Sequence, residues 1–193
     1  MNGSLSVSGV VTTGQPFNDA YRYMDWLLTV PLLLIEIILV MDLSDEETSS
    51  KAWQLGSAAA LMIILGYPGE LILEQSELGN RWIFWCLAML PFIFIVYTLI
   101  VGLANATAQE PDENVRKQIR TAQYMTVLSW LTYPIVYVLP MCGLSGSNAV
   151  VAIQMGYCVS DIVSKCGVGF LIYGITNAKS KALKNGLLQN SNM

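Results

Sequence analysis

An all-α membrane protein, a single bundle of five transmembrane helices, is the fold class that the sequence predicts. Of the 193 residues, 54% are hydrophobic and only 12% charged, too oily for an ordinary water-soluble domain. The apolar residues gather into five blocks, at about 20–41, 52–74, 80–104, 119–142 and 148–177. Each is close to the roughly 20 residues with which a helix crosses the hydrocarbon core. The segments between them, 42–50, 75–79, 105–118 and 143–147, are polar or glycine-rich and read as loops and turns.

In chain order, residues 1–18 are polar and rich in Gly, Ser and Thr, with no basic or apolar region of the signal-peptide kind. The spans follow. Prolines 31, 68, 91, 134 and 140 lie inside or near their ends, where neighbouring helices can satisfy the freed backbone groups, so kinks are expected there. No repeat or low-complexity linker divides the chain. Three regions are expected: an exterior loop over 1–19, a five-helix domain over 20–178 and a cytoplasmic tail over 179–193. Orientation comes from the cations outside the spans. Lys51, Arg116, Lys117, Arg120, Lys179, Lys181 and Lys184 share one side under five alternating spans, and Arg81 falls on the other, which makes the C-terminus cytoplasmic.

Composition excludes several functions. Ten Lys+Arg against 14 Asp+Glu, with no basic stripe carrying aromatics, argue against nucleic acid. With no histidine, and with Cys86, Cys142, Cys158 and Cys166 scattered without a CxxC pair, no metal site is expected. A conventional enzyme is not expected either, since no nucleophile triad, phosphate loop or metal cage is visible.

Ionisable groups within the spans carry the functional signal, because they are costly in hydrocarbon and mark ion pathways. They are Arg22, Asp25, Glu36, Asp161 and Lys165. Asp25, Thr29 and Glu36 are separated by four and eleven residues, so all three share one helix face, with a rise of roughly 16 Å between the two carboxylates. One then sits near mid-membrane and the other nearer the cytoplasm, the geometry of a proton ladder. Asp161 and Lys165 are one turn apart with the acid N-terminal to the base, and should interact. The plain alternative is that this pair merely self-neutralises while Glu36 snorkels and Arg22 sits at the outer interface. Against it, Asp25 and Asp161 together face Lys165 and Arg22, an elaborate arrangement for neutralisation alone. An amine held there could attack a carbonyl and form a Schiff base. Tyr23, Trp26, Trp130, Tyr133 and Tyr137 fall at similar depths, as core packing or as aromatic walls around a flat apolar ligand.

These residues resemble the microbial rhodopsins, and among them the proteorhodopsin and xanthorhodopsin group of light-driven proton pumps. RYMDWLLTVPLLLIE, running from Arg22 to Glu36, is similar to the family's third helix. GYPGE from Gly66 to Glu70 resembles its fourth helix, WLTYPIVY from Trp130 to Tyr137 its sixth, and SDIVSK ending at Lys165 its seventh. The likeness extends from about residue 10 to 180.

The resemblance implies that Lys165 binds all-trans retinal as a Schiff base. Asp25 would then be the proton acceptor and main counterion, Asp161 the second counterion and Glu36 the cytoplasmic proton donor, with Arg22 modulating the carboxylates from outside. Asp25, Thr29 and Glu36 match the pattern of proton pumps. Trp26, Thr29, Leu33, Trp130, Tyr133, Pro134 and Tyr137 match the pocket lining, and Leu33 implies green absorption. The implied function is an outward light-driven proton pump, a homo-oligomer in a lipid bilayer. Against the family's seven helices, the chain matches the third to the seventh, with VSGVVTTG resembling the loop before the third, so a fragment of a seven-helix protein is expected. The histidine that the group carries on its second helix has no counterpart here. Two alternatives stand beside the pump: a sensory rhodopsin signalling to a transducer, and a retinal-free five-helix membrane protein or non-functional fragment.

Overall fold

The computed structural model describes residues 18–41, 43–72 and 75–191, and the exterior loop expected over 1–19 lies outside these except for its last two residues. The described residues form five helical rods. The first is α1, Ala20–Leu39, and the second α2, Asp45–Glu70. The third joins α3, Leu78–Tyr97, through a π-helical segment Thr98–Gly102 to α4, Ala104–Gln109. The fourth is α5, Glu113–Trp130, with α6, Thr132–Tyr137, and the fifth runs from α7, Gly146–Asp161, through a π-helical segment Ile162–Gly167 into α8, Val168–Ser191.

The rods follow the five expected blocks but overrun them, because helices extend past the oil where caps can satisfy their ends. Residues 42–50 were expected as a loop. Instead Ser44 starts α2 with a capping box: its Oγ accepts from Glu47 N at 3.2 Å while its own N–H donates to Glu47 Oε2 at 3.4 Å. Asp45, Glu46 and Glu47 occupy the first turn, where carboxylates suit the helix dipole. Residues 105–118, expected as one polar loop, are mostly helical. Pro111 separates α4 from α5, and Asp112 caps α5 by accepting from Asn114 N and Val115 N at 2.8 and 3.1 Å. The fourth rod is interrupted at Leu131, since Pro134 has no N–H to return to Trp130 four residues back. The turn after α6 ends at Gly143, whose φ of 99° favours a residue without Cβ. The last helix continues unbroken through Ser191.

By length and composition alone, Leu78–Gln109 and Gly146–Lys181 are apolar enough to cross a membrane. The other three rods carry further charges: Arg22, Asp25 and Glu36 on α1, and charged N-terminal turns on α2 and α5. Outward-facing side chains such as Leu28, Leu32, Ile83, Leu90, Ile93 and Phe170 are exposed, as expected where lipid rather than water surrounds the bundle.

Two interior clusters divide the bundle lengthwise. One is aliphatic and joins Leu34, Ile37 and Ile38 of α1 to Leu55, Ile95, Leu99, Ile119 and Ile175. The other is aromatic and contains Tyr23, Trp26, Tyr157, Ile63, Val136 and Ile153. The site lies beside the second.

Candidate functional site: a lysine between two carboxylates

A π-helical segment carries Lys165, and its side chain reaches across to α1. Its Nζ donates to Asp25 Oδ2, and a second carboxylate, Asp161 Oδ1, lies 3.6 Å away on the same rod. The expected interaction one helical turn apart is therefore present, and a contact across 140 residues joins it. Asp161 is held in place from two sides. Trp26 Nε1 donates to its Oδ1 at 2.9 Å, and the Tyr133 hydroxyl donates to the same oxygen at 2.7 Å. Tyr133 has one proton to give, so Ser164 Oγ, 2.8 Å from it, is the donor in that contact. Thr29 spends its hydroxyl on the Asp25 backbone carbonyl at 2.9 Å and does not line the cavity beside the lysine.

That cavity is built by all five rods. Trp26 and Leu33 come from α1, Trp85 and Phe92 from α3, Trp130 from α5, Tyr133, Pro134 and Tyr137 from α6, and Ser164 and Lys165 close it from the last rod. Trp26 and Tyr133 meet edge to face, with centroids 5.1 Å apart. An apolar slot with aromatic walls and one amine at its edge fits a flat conjugated polyene that can be bound through nitrogen. Every pocket residue expected from the sequence except Thr29 is in it. Tyr157, Met62, Ile63, Gly66, Trp85, Ala88, Met89 and Phe92 also line it, though only their apolar character within spans marked them beforehand.

Among the charges, Glu36 is exposed and the Asp25 side chain is 48% exposed. The shared face of α1 holds: Lys165 reaches Asp25 at one end, Thr29 is half-buried and Glu36 at the other end is exposed. Arg22, expected in a compact four-charge cluster, is salt-bridged at 3.0 Å to Asp19, donates to Gln154 Oε1 and lies 5.0 Å over the Tyr157 ring.

Sequence reasoning placed Arg81 as a lone outer-side cation, yet it is fully buried. Its guanidinium donates to Glu70 Oε1 at 3.2 Å and to the carbonyls of Gly69, Glu70, Ile72 and Tyr137 at 2.9–3.2 Å. It thus satisfies carbonyls left over at the C-terminal ends of α2 and α6. The only forewarning was an acid and a base flanking the short 71–80 connection.

A lysine paired with two carboxylates stands at the edge of an aromatic cavity inside a helical bundle, the arrangement of a membrane protein able to hold a flat apolar ligand. Residues 2–178 match the family model described as bacteriorhodopsin-like protein, and the chain belongs to that family, the microbial rhodopsins. Its members are integral membrane proteins that carry retinal as chromophore, and they include ion pumps rather than classical enzymes. Among solved structures, xanthorhodopsin, a light-driven ion pump with dual chromophore, superposes with a TM-score of 0.84 at 40% identity, over 94% of this chain and 71% of that one. A thermophilic rhodopsin gives a TM-score of 0.81 at 38% identity, over 95% of this chain and 72% of that one. The green-light absorbing proteorhodopsin of Gamma-proteobacterium EBAC31A08 is 26% identical over 92% of this chain and 75% of its own length.

Proposed function

We propose that this chain is a light-driven outward proton pump with all-trans retinal bound covalently to Lys165. The observation that carries this reading is the Lys165 amine bonded to Asp25 and flanked by Asp161 at the edge of the aromatic cavity. Retinal supplies light absorption and an isomerisation that moves charge at the lysine nitrogen. The residues of the chain do the rest. Asp25 Oδ2, already hydrogen-bonded to that nitrogen, takes its proton. Asp161, fixed by Trp26 and Tyr133, remains as the second counter-charge. Glu36, roughly 16 Å further along α1, returns a proton from the cytoplasmic side. Trp26, Leu33, Trp130, Tyr133, Pro134 and Tyr137 hold the polyene and exclude water. The seven cations on one side support a cytoplasmic C-terminus, and the exposed apolar faces of the rods are available for lipid and for copies in a homo-oligomer.

Lys165→Ala should abolish visible absorbance completely after incubation with all-trans retinal. Colour that survives this change removes the assignment. Glu36→Gln should slow the late photocycle, and unchanged late kinetics remove the donor role. Illuminated cells should acidify their medium. A coloured chain that leaves the pH flat would instead support a sensory receptor.

A further inference from the structure

The Glu70–Arg81 pair is not merely a plug. Glu70 divides its two oxygens: Oε1 takes Arg81, while Oε2 accepts the hydroxyls of Tyr157 at 2.9 Å and Tyr23 at 3.4 Å. Those two tyrosines come from different rods, the last and the first. Each rests against Trp26, with ring centroids 5.0 Å apart in both cases. Trp26 in turn donates its indole N–H to Asp161, which faces Lys165. A buried carboxylate with both oxygens hydrogen-bonded thus grips the two rings that bracket the tryptophan on the other side of which the lysine site begins.

We propose that Glu70 is a positioning residue for the lysine site: clamped by Arg81, it holds Tyr157 and Tyr23, and these rings keep the Trp26 indole aimed at Asp161. The proposal rests on the function proposed above only in giving Asp161 a role opposite Lys165; the contact chain itself needs no chromophore. Its physical basis is that an aromatic ring has few rotamers but can tilt, and a hydroxyl hydrogen-bonded to a clamped carboxyl oxygen fixes that tilt. With the hydroxyls released, the rings keep their bulk and the packing survives, while the direction of the Trp26 N–H is no longer set.

Tyr157→Phe is the cleanest variant, because it removes one bond and no charge. Glu70→Gln is the stronger one. The readout is the indole N–H resonance of Trp26 in the 15N-labelled, retinal-free full chain in detergent, assigned by its loss in Trp26→Phe. A loosened bond to Asp161 moves the indole proton upfield, and the expectation is an upfield shift in Tyr157→Phe, a larger one in Glu70→Gln, and a double variant no different from Glu70→Gln alone. Far-UV circular dichroism should match the parent. If the resonance stays in place in folded Tyr157→Phe and Tyr23→Phe, the proposal is overturned, whether or not Glu70→Gln folds. An additive double variant overturns it too, since the two residues would then act separately. Retinal uptake by the parent chain is measured in parallel: failure there removes the pump reading and leaves the contact chain to be decided by the resonance.

Discussion

Two ion pairs among the described residues look alike on paper and are built to opposite ends. At Glu70 and Arg81 the side chains are 1% and 0% exposed, and five guanidinium contacts are spent on carbonyls alongside the carboxylate. At Lys165 and Asp25 the exposures are 26% and 48%, and the amine has two competing carboxylates. In a saturated pair far from solvent, removing one partner strands a buried charge. A partly open lysine with two acids in reach can exchange one partner for the other, which the buried pair cannot do. The difference teaches that burial and the number of alternative partners, rather than the presence of opposite charges, separate a rivet from a working site.

Breaking the rivet should be costly. Arg81→Ala leaves Glu70 buried and four carbonyls without their donor, and a loss of about 3–5 kcal/mol in unfolding free energy is expected. Detergent-titrated unfolding measures it, and a loss near zero would erase the distinction between the two pairs. Next in size is Gly69→Ala. A Cβ at Gly69 would collide with the Tyr137 hydroxyl and come within 2.7 Å of Phe84 Cβ, so the same end of the bundle should lose about 1–3 kcal/mol by overpacking. The smallest effect belongs to the working site. Asp25→Asn should change stability by no more than about 1 kcal/mol, as for exposed ion pairs, while removing the proposed acceptor for the lysine proton. A drop as large as that of Arg81→Ala would mean that Asp25 is structural.

Much of the site was legible in the sequence because its signals are local. Asp161 and Lys165 sit one turn apart on any helix, and the run from Arg22 to Glu36 keeps its carboxylates on one face whatever surrounds it. The aromatic wall was legible as a set of residue types at similar depths. The Glu70–Arg81–Tyr157–Tyr23 cluster was not: it draws on four segments, and nothing in any one of them marks it as buried. Arg81 in particular reads as an outer-side cation until α6 is seen to lay the Tyr137 carbonyl against it. The reading of 42–50 as a loop failed for a related reason. Acidic composition signals exposure, and an exposed first helical turn is as acidic as a loop.

By itself, the sequence determined five rods and the angular spacing of charges along each, since hydrophobic length and the 3.6-residue period are properties of a single segment. Only the tertiary structure decided which charges meet, that Asp25 reaches Lys165, that Arg22 turns to Asp19 and Gln154, and that Glu36 stays exposed. The rotation of one helix about its axis relative to its neighbours is set by how whole faces pack. No local stretch of residues encodes that angle.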